Sequence, residues 1–92
     1  MTEKENIFKN WVDNYSRLIF KVVRAFTDNP QDKDDLFQQI LLQLWLSINN
    51  YQNNCKQTTW IYRVALNTAV TYKRNEKRKK SKYEILPANL NE

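Results

Sequence analysis

A polar segment between two predicted helices carries side chains suited to contact nucleic-acid bases. Residues 49–57 read NNYQNNCKQ, and the aromatic residues Tyr51 and Trp60 bracket most of the segment. Amide side chains can hydrogen-bond to base edges, and aromatic rings can stack on base faces. Stacking requires bases that lie outside a duplex. The pair therefore favours contact with single-stranded or opened DNA or RNA, although either ring alone is more often part of a core.

The helix that follows this segment carries a second stripe of polar and basic side chains. At about 100° per residue, the members of the stripe lie within about 80° of one another, nearly opposite the apolar side of the helix. They are Trp60, Arg63, Asn67, Thr71 and Arg74, with Lys77 and Arg78 as an extension. Arginine and lysine neutralise phosphates, and asparagine can read a base edge. The stripe predicts a nucleic-acid-binding surface.

Neither catalysis nor metal binding is expected from the residue types present. The chain has no histidine and one cysteine, which excludes a zinc site and leaves no nucleophile beside a base. Asp32, Asp34 and Asp35 form an acidic cluster, but carboxylates at a helix start are explained by the helix dipole. We expect no enzyme activity, metal or cofactor.

The charge distribution supports an anionic partner for the C-terminal part. Residues 61–92 carry eight basic and three acidic residues, which accounts for the net charge of +5. Nucleic acid is the commonest large anion that such a segment meets. The single cysteine and the absence of a long apolar run predict a cytoplasmic protein without a membrane span.

The 92 residues are expected to form one all-α domain, a small three-helix bundle with room for a short extra helical turn. The absence of glycine argues against strands, which need it in hairpin turns. Apolar periodicity predicts helices over about 5–26 and 32–48, and a third that begins with Thr58 or Thr59 as its cap. The bundle is expected to span residues 1–82, and 83–92 to form a linker or disordered tail.

The second helix has an apolar surface that its core stripe does not explain. Leu42 and Leu46 point away from the side that holds Leu36, Ile40 and Leu44. Asp35, Gln38 and Gln39 lie beside this exposed leucine pair. An apolar pair rimmed by polar groups is typical of a surface that binds a partner helix, although burial of the helix from two sides would give the same pattern.

Three segments resemble region 2 of bacterial RNA polymerase sigma factors, closest to the extracytoplasmic-function type. They are DKDDLFQQILLQLW, NNYQNN and TTWIYRVALNTAVTYKR. Asp32, Asp35, Leu36 and Gln38 match the family pattern D-x-x-D-L-x-Q. The family's second pattern is (T/S)-W-(L/I)-(Y/F)-R-(I/V)-A-x-N. The residues that match it are Trp60, Ile61, Tyr62, Arg63, Val64, Ala65 and Asn67. The resemblance covers about residues 5–80.

This resemblance implies two partners. The second helix of the family docks on the clamp helices of the polymerase β′ subunit, which implies that Asp35, Gln38, Gln39, Leu42 and Leu46 form that contact. The turn and third helix of the family hold the non-template strand of the −10 promoter element and capture a flipped base. The implied pocket residues are Tyr51, Gln52, Asn53, Asn54 and Cys55. Asn67 would read a base, and Trp60 and Arg63 would lie at the melting junction.

Three departures from the family pattern bear on these roles. Gln57 stands where an aromatic residue is common before the tryptophan, which leaves the packing of the loop open. Gln39 stands where the family usually has a carboxylate, so a hydrogen bond would replace a charge pair. Asn53 stands at a frequent glycine position, and asparagine tolerates left-handed backbone. The family also carries a second helical domain for the −35 element, which has no counterpart here; the chain is expected to be a domain fragment or a reduced relative. Family members are often held by anti-sigma proteins, so such a partner is also implied.

Two other functions fit the same residues. One is a stand-alone module that binds single-stranded nucleic acid without polymerase. The other is a protein-interaction bundle whose basic tail is solvated or contacts an acidic partner. Sequence preference and polymerase binding separate these alternatives from a sigma factor domain.

Overall fold

The computed structural model of the chain describes residues 1–53 and 55–85, with side chains through residue 76. Three helices follow in order: α1 (Glu3–Phe26), α2 (Pro30–Ser47) and α3 (Gln57–Ile85). A single 3-10 turn, Ile48–Asn50, extends α2. The described residues contain no strand. The predicted all-α three-helix bundle, with its extra helical turn, is confirmed.

One apolar core holds the three helices together. Each helix gives it one stripe, and α3 contributes small residues where α1 and α2 contribute large ones. The buried residues are Trp11, Ile19, Val22, Val23, Leu36, Ile40, Leu44, Ile48, Ile61, Ala65 and Ala69. Alanine side chains let α3 approach its neighbours closely, while the fully buried Trp11 fills the remaining space.

Polar side chains fix the starts of the first two helices. The Thr2 hydroxyl accepts from the Glu5 backbone N–H (3.1 Å), and the Glu5 carboxylate accepts from the Thr2 N–H (2.8 Å), so α1 begins earlier than the apolar periodicity indicated. For α2, the Asn29 side chain accepts from the Asp32 N–H at 2.8 Å, with Pro30 in the first turn. Asn29 is therefore the cap of α2, and Asp32 lies inside the helix.

A short connection turns the chain between α1 and α2. The buried Thr27 hydroxyl donates to the Val23 carbonyl at 2.7 Å, which satisfies an acceptor at the end of α1. Thr27 itself is extended, and Pro30 follows within three residues. The connection therefore places α1 and α2 side by side against the core.

The predicted threonine cap of α3 is wrong, because the helix begins before both Thr58 and Thr59. The helix begins at Gln57, because the Lys56 carbonyl already accepts from the Trp60 N–H at 3.1 Å. The helix also runs to Ile85, beyond the border predicted at residue 82. The remainder of the predicted tail, residues 86–92, lies outside the described residues. No helix in the described part is long and apolar enough to cross a membrane.

Candidate functional site

Three aromatic rings support the polar turn between α2 and α3. The ring of Tyr51 lies 5.8 Å from that of Trp11 and 5.5 Å from that of Trp60, measured between centres. The Tyr51 hydroxyl donates to the Cys55 carbonyl at 2.6 Å and so closes the turn. Burial raises the pKa of this hydroxyl. Tyr51 thus holds the turn on the core, a role that the sequence did not reveal.

Two further hydrogen bonds fasten the first turn of α3. The Trp60 indole N–H donates to the Ser47 hydroxyl at 3.3 Å, which joins α3 to the end of α2. The Tyr15 hydroxyl donates to the Gln57 side chain at 3.3 Å, which joins α3 to α1. Trp60 is half-buried and packs against the core, although the helical periodicity placed it on the exposed stripe. The difference arises because the polar turn folds back over this end of α3.

The tip of the turn is polar and open. Gln52 and Asn53 are exposed, Cys55 is half-buried, and Asn54 lies outside the described residues. Asn53 has a φ of 60°, the left-handed conformation that asparagine adopts more readily than most residues. This backbone explains why asparagine can stand at a family glycine position. The structure places Gln52, Asn53 and Cys55 in one turn, and the binding of a base by the predicted pocket residues stays a prediction.

The basic and polar stripe of α3 faces solvent. Arg63, Asn67, Thr71 and Arg74 are all exposed. They cover twelve residues of helix, a length of about 16 Å. The backbone of α3 continues through Lys77 and Arg78, whose side chains lie outside the described part. The structure therefore confirms that the four described members of the stripe that follow Trp60 in sequence are exposed.

The predicted partner-binding residues of α2 are also exposed. Leu42 and Leu46 are 50% and 55% exposed, and Asp35, Gln38 and Gln39 are exposed beside them. Burial of the helix from two sides, the alternative left open by the sequence, does not occur within the part of the chain that the structure describes. The leucine pair forms an apolar surface that the described residues leave uncovered.

An open cleft of about 840 Å³ lies between α2 and α3 and is lined by members of both candidate surfaces. Its lining residues are Asp32, Asp35, Gln39 and Gln43 from α2, and Asn67, Thr68, Thr71, Tyr72, Asn75 and Glu76 from α3. Sequence reasoning missed Gln43 and Asn75. Each lies four residues after a predicted site residue, Gln39 or Thr71, so the helical repeat would have found both.

Tyr72 joins the two walls of the cleft. Its hydroxyl lies 3.3 Å from an Asp32 carboxylate oxygen and 3.4 Å from an Asp35 oxygen, close enough to donate to either. Burial, followed by the negative charges of Asp32 and Asp35, raises the pKa of Tyr72 to about 12. The hydroxyl is therefore a neutral donor at physiological pH, and it orients a carboxylate of the predicted partner-binding surface.

Local hydrogen bonds involve the acidic start of α2. Among the described residues, no group of three or more possible ligands is placed to hold a metal ion. Instead, Asp32 accepts a hydrogen bond from the Asn29 side-chain amide at 2.9 Å. Capping and the contact with Tyr72 account for this carboxylate.

Comparison with known proteins gives one consistent result. The family described as Sigma-70 region 2 matches residues 11–79. The ECF RNA polymerase sigma factor SigW of Bacillus subtilis is 28% identical over 73 residues, which cover 79% of this chain and 39% of the relative.

Two further relatives carry similar names. The ECF RNA polymerase sigma factor SigG of Mycobacterium tuberculosis is 28% identical over 75% of this chain and 19% of its own length. The RNA polymerase sigma-H factor of Pseudomonas aeruginosa is 27% identical over 60% of this chain and 28% of its own length. The chain thus spans less than half the length of these relatives. No solved structure gave a significant match.

Removal of the Tyr72 hydroxyl should change how stability depends on pH. The raised pKa means that folding favours the neutral phenol, so its stabilisation is complete below pH 10 and is lost as pH rises towards about 12. Tyr72→Phe should lower the free energy of unfolding by about 1 kcal/mol near neutral pH. The difference from the parent should shrink by about 1 kcal/mol above pH 10, a figure reduced for partial solvation of the phenol.

Urea denaturation from about pH 8 to about pH 11.5 measures both effects. Tyr62→Phe is the matched control, because Tyr62 is 44% exposed on the same helix. An identical pH dependence for the parent and Tyr72→Phe would contradict the assigned contact.

Proposed function

The chain belongs to the Sigma-70 region 2 family, and from this premise we propose that it is the promoter-recognition domain of an ECF-type sigma factor. In this role it binds core RNA polymerase through α2 and the −10 promoter element through α3 and the preceding turn. It acts in transcription initiation, in the cytoplasm, by binding and not by catalysing a reaction. The observation that carries the proposal is the presence of two exposed, chemically different surfaces on adjacent helices.

The α2 surface fits a helical protein partner. Leu42 and Leu46 are one turn apart and about half exposed, so a helix laid across them can bury both. Complete burial of a leucine is worth about 1.5–3 kcal/mol, and about half of that is available at each residue here. The β′ clamp helices are the partner that the family implies. Gln39 would offer a hydrogen bond to them, and Asp35, oriented by Tyr72, would offer a charge.

The α3 surface fits the backbone and bases of a single strand. Arg63 and Arg74 lie at the ends of the stripe and can each neutralise a phosphate. Asn67 and Thr71 lie between them and can reach base edges. The stripe length of about 16 Å is enough for several nucleotides of an extended strand.

The turn fits the capture of one extruded base. Gln52 and Asn53 present amides at its tip, and the Tyr51–Cys55 hydrogen bond fixes its shape. A turn fixed before binding loses less conformational entropy when it takes a ligand. Trp60 packs against Tyr51 and so fixes the position of the turn at the start of α3. Under this proposal the duplex opens at this position, beside Arg63.

An anti-sigma protein is a further partner under this proposal. The exposed leucine pair on α2 would attract it, and its binding would compete with the clamp helices. Competition of this kind would regulate the domain without altering its DNA-binding stripe.

Binding to an isolated β′ clamp-helix fragment tests the polymerase contact. The parent domain should co-purify with the fragment, and the double variant Leu42→Glu/Leu46→Glu should lose at least about tenfold in affinity, since two charges would enter an apolar contact. Val70→Glu is the matched control, because Val70 is 41% exposed on a different helix.

Retention of Val70→Glu together with loss of the double variant supports a sigma factor domain. Absence of binding by the folded parent would contradict the polymerase contact and favour a stand-alone nucleic-acid-binding module.

Two substitutions on α3 separate base reading from phosphate binding. The probes are a single strand selected from a random pool by the domain and a shuffled version of that strand. Asn67→Ala should reduce the difference in binding free energy between the selected and the shuffled strand by about 1–3 kcal/mol. Arg74→Ala should weaken both strands alike and lower the salt slope by about 0.7.

Fluorescence anisotropy at several salt concentrations measures these effects. Equal losses on both strands for both variants would remove the base-reading role of Asn67. If the parent binds no nucleic acid even at low salt, the protein-interaction bundle becomes the better explanation.

A further inference from the structure

The outer side of α1 carries an exposed aromatic and basic patch that the proposed function does not use. Phe20 is 43% exposed and stacks on Phe37 of α2, with ring centres 4.5 Å apart and an interplanar angle of 5°. Arg17, Lys21 and Arg24 are exposed on the same side of α1. At 100° per residue, Phe20 and these three cations lie within about 100° of one another, opposite the core side of the helix.

The cations of this patch have few acidic neighbours on their own helix. Asp13 lies one turn before Arg17, but its carboxylate pairs with Lys9 at 3.1 Å. Every acidic residue of α1 lies in its first half, and residues 14–26 carry three basic residues and no acidic one. The described side chains form two ion pairs, Lys9 with Asp13 and Lys73 with Glu76, and neither includes a member of the patch. The helix dipole explains a cation in the last turn, such as Arg24, but Arg17 lies almost two turns earlier.

At the other end of the contact between α1 and α2, a lysine of the chain itself covers an aromatic ring. There Phe8 packs edge-on against Trp45 at 5.4 Å, and the Lys4 ammonium lies 4.3 Å from the centre of the Trp45 ring. At the Phe20 end, by contrast, an apolar surface is exposed between separate positive charges. An exposed aromatic surface between positive charges suits an occupant that offers both apolar side chains and carboxylates.

We propose that the patch of Arg17, Phe20, Lys21, Arg24 and Phe37 is a docking site for an acidic amphipathic helix of a partner protein. The cations span eight residues, or about 10 Å along α1, which matches carboxylates spaced over two turns of a facing helix. The apolar stripe of that helix covers the edge of the stacked phenyl rings. Nucleic acid fits less well, because each phenyl ring already has one face covered by the other, which leaves fewer faces on which bases could stack.

This site is distinct from both surfaces of the proposed function. The DNA-binding stripe belongs to α3, and the polymerase contact uses the outward side of α2. A partner held at α1 would leave Asn67 and the turn accessible. The site would therefore recruit a regulator or a further transcription component without competing for the promoter strand.

A designed peptide tests the proposal directly. The probe is a helical peptide with leucines on one side and glutamates at positions i, i+4 and i+7, and its control carries glutamine at the same three positions. The parent domain should bind the acidic peptide at least tenfold more tightly than the glutamine control. Lys21→Glu/Arg24→Glu should remove that preference, and Phe20→Ser should weaken binding of both peptides.

Arg63→Glu is the matched charge-reversal control, because Arg63 is equally exposed but belongs to α3. It should leave peptide binding unchanged and weaken binding of a single DNA strand, while the α1 double variant should do the opposite. Circular dichroism checks that each variant is folded. The proposal is overturned if the acidic peptide does not bind, if Arg63→Glu weakens peptide binding as much as the α1 variant, or if the α1 variant chiefly loses DNA binding.

These outcomes do not depend on the proposed polymerase and promoter contacts. A domain that failed to bind the clamp fragment would still bind the acidic peptide if α1 is a docking site. If the acidic peptide did not bind, the proposed roles of the α2 and α3 surfaces would be unaffected.

Discussion

The burial of Trp11 against the rest of a single small core is the constraint on which the structure depends. This ring is fully buried, and it contacts Tyr51, whose hydroxyl closes the turn between α2 and α3. A domain of this size can bury about one stripe per helix. Because the alanines of α3 bring that helix close, the core is completed by these stripes alone. The remaining sides of α2 and α3 stay exposed and are available for partners.

The aromatic cluster gives the turn a rigid base and a polar tip. Trp11, Tyr51 and Trp60 fix the backbone on the core, while Gln52 and Asn53 remain at the surface. Residues that read a ligand are most effective when residues that do not touch it hold them in place. Tyr72 plays a corresponding part in the cleft, where it connects α3 to a carboxylate of α2. The two proposed binding surfaces therefore share one rigid support.

Much of this arrangement could be predicted from the sequence, because it follows from helical periodicity. The exposure of Leu42 and Leu46 and of the Arg63–Arg74 stripe is a matter of angle around a helix axis. The role of Tyr51 and Trp60 was not predictable in the same way. An aromatic residue beside a polar turn satisfies the same local pattern whether it packs inward or faces a ligand, and only the path of the turn decides. The cleft and the Tyr72 contact required the tertiary packing of α2 against α3, which no single-helix pattern contains.

The central claim is that α2 and α3 present two separate binding surfaces on one rigid domain. The most direct measurement is the affinity of a single promoter strand for the domain alone and for the domain saturated with the β′ clamp-helix fragment. The account predicts that both ligands bind at once, with strand affinity in the saturated domain equal to or higher than in the free domain. Mutual exclusion of the strand and the fragment would contradict it, because the two ligands would then share a surface.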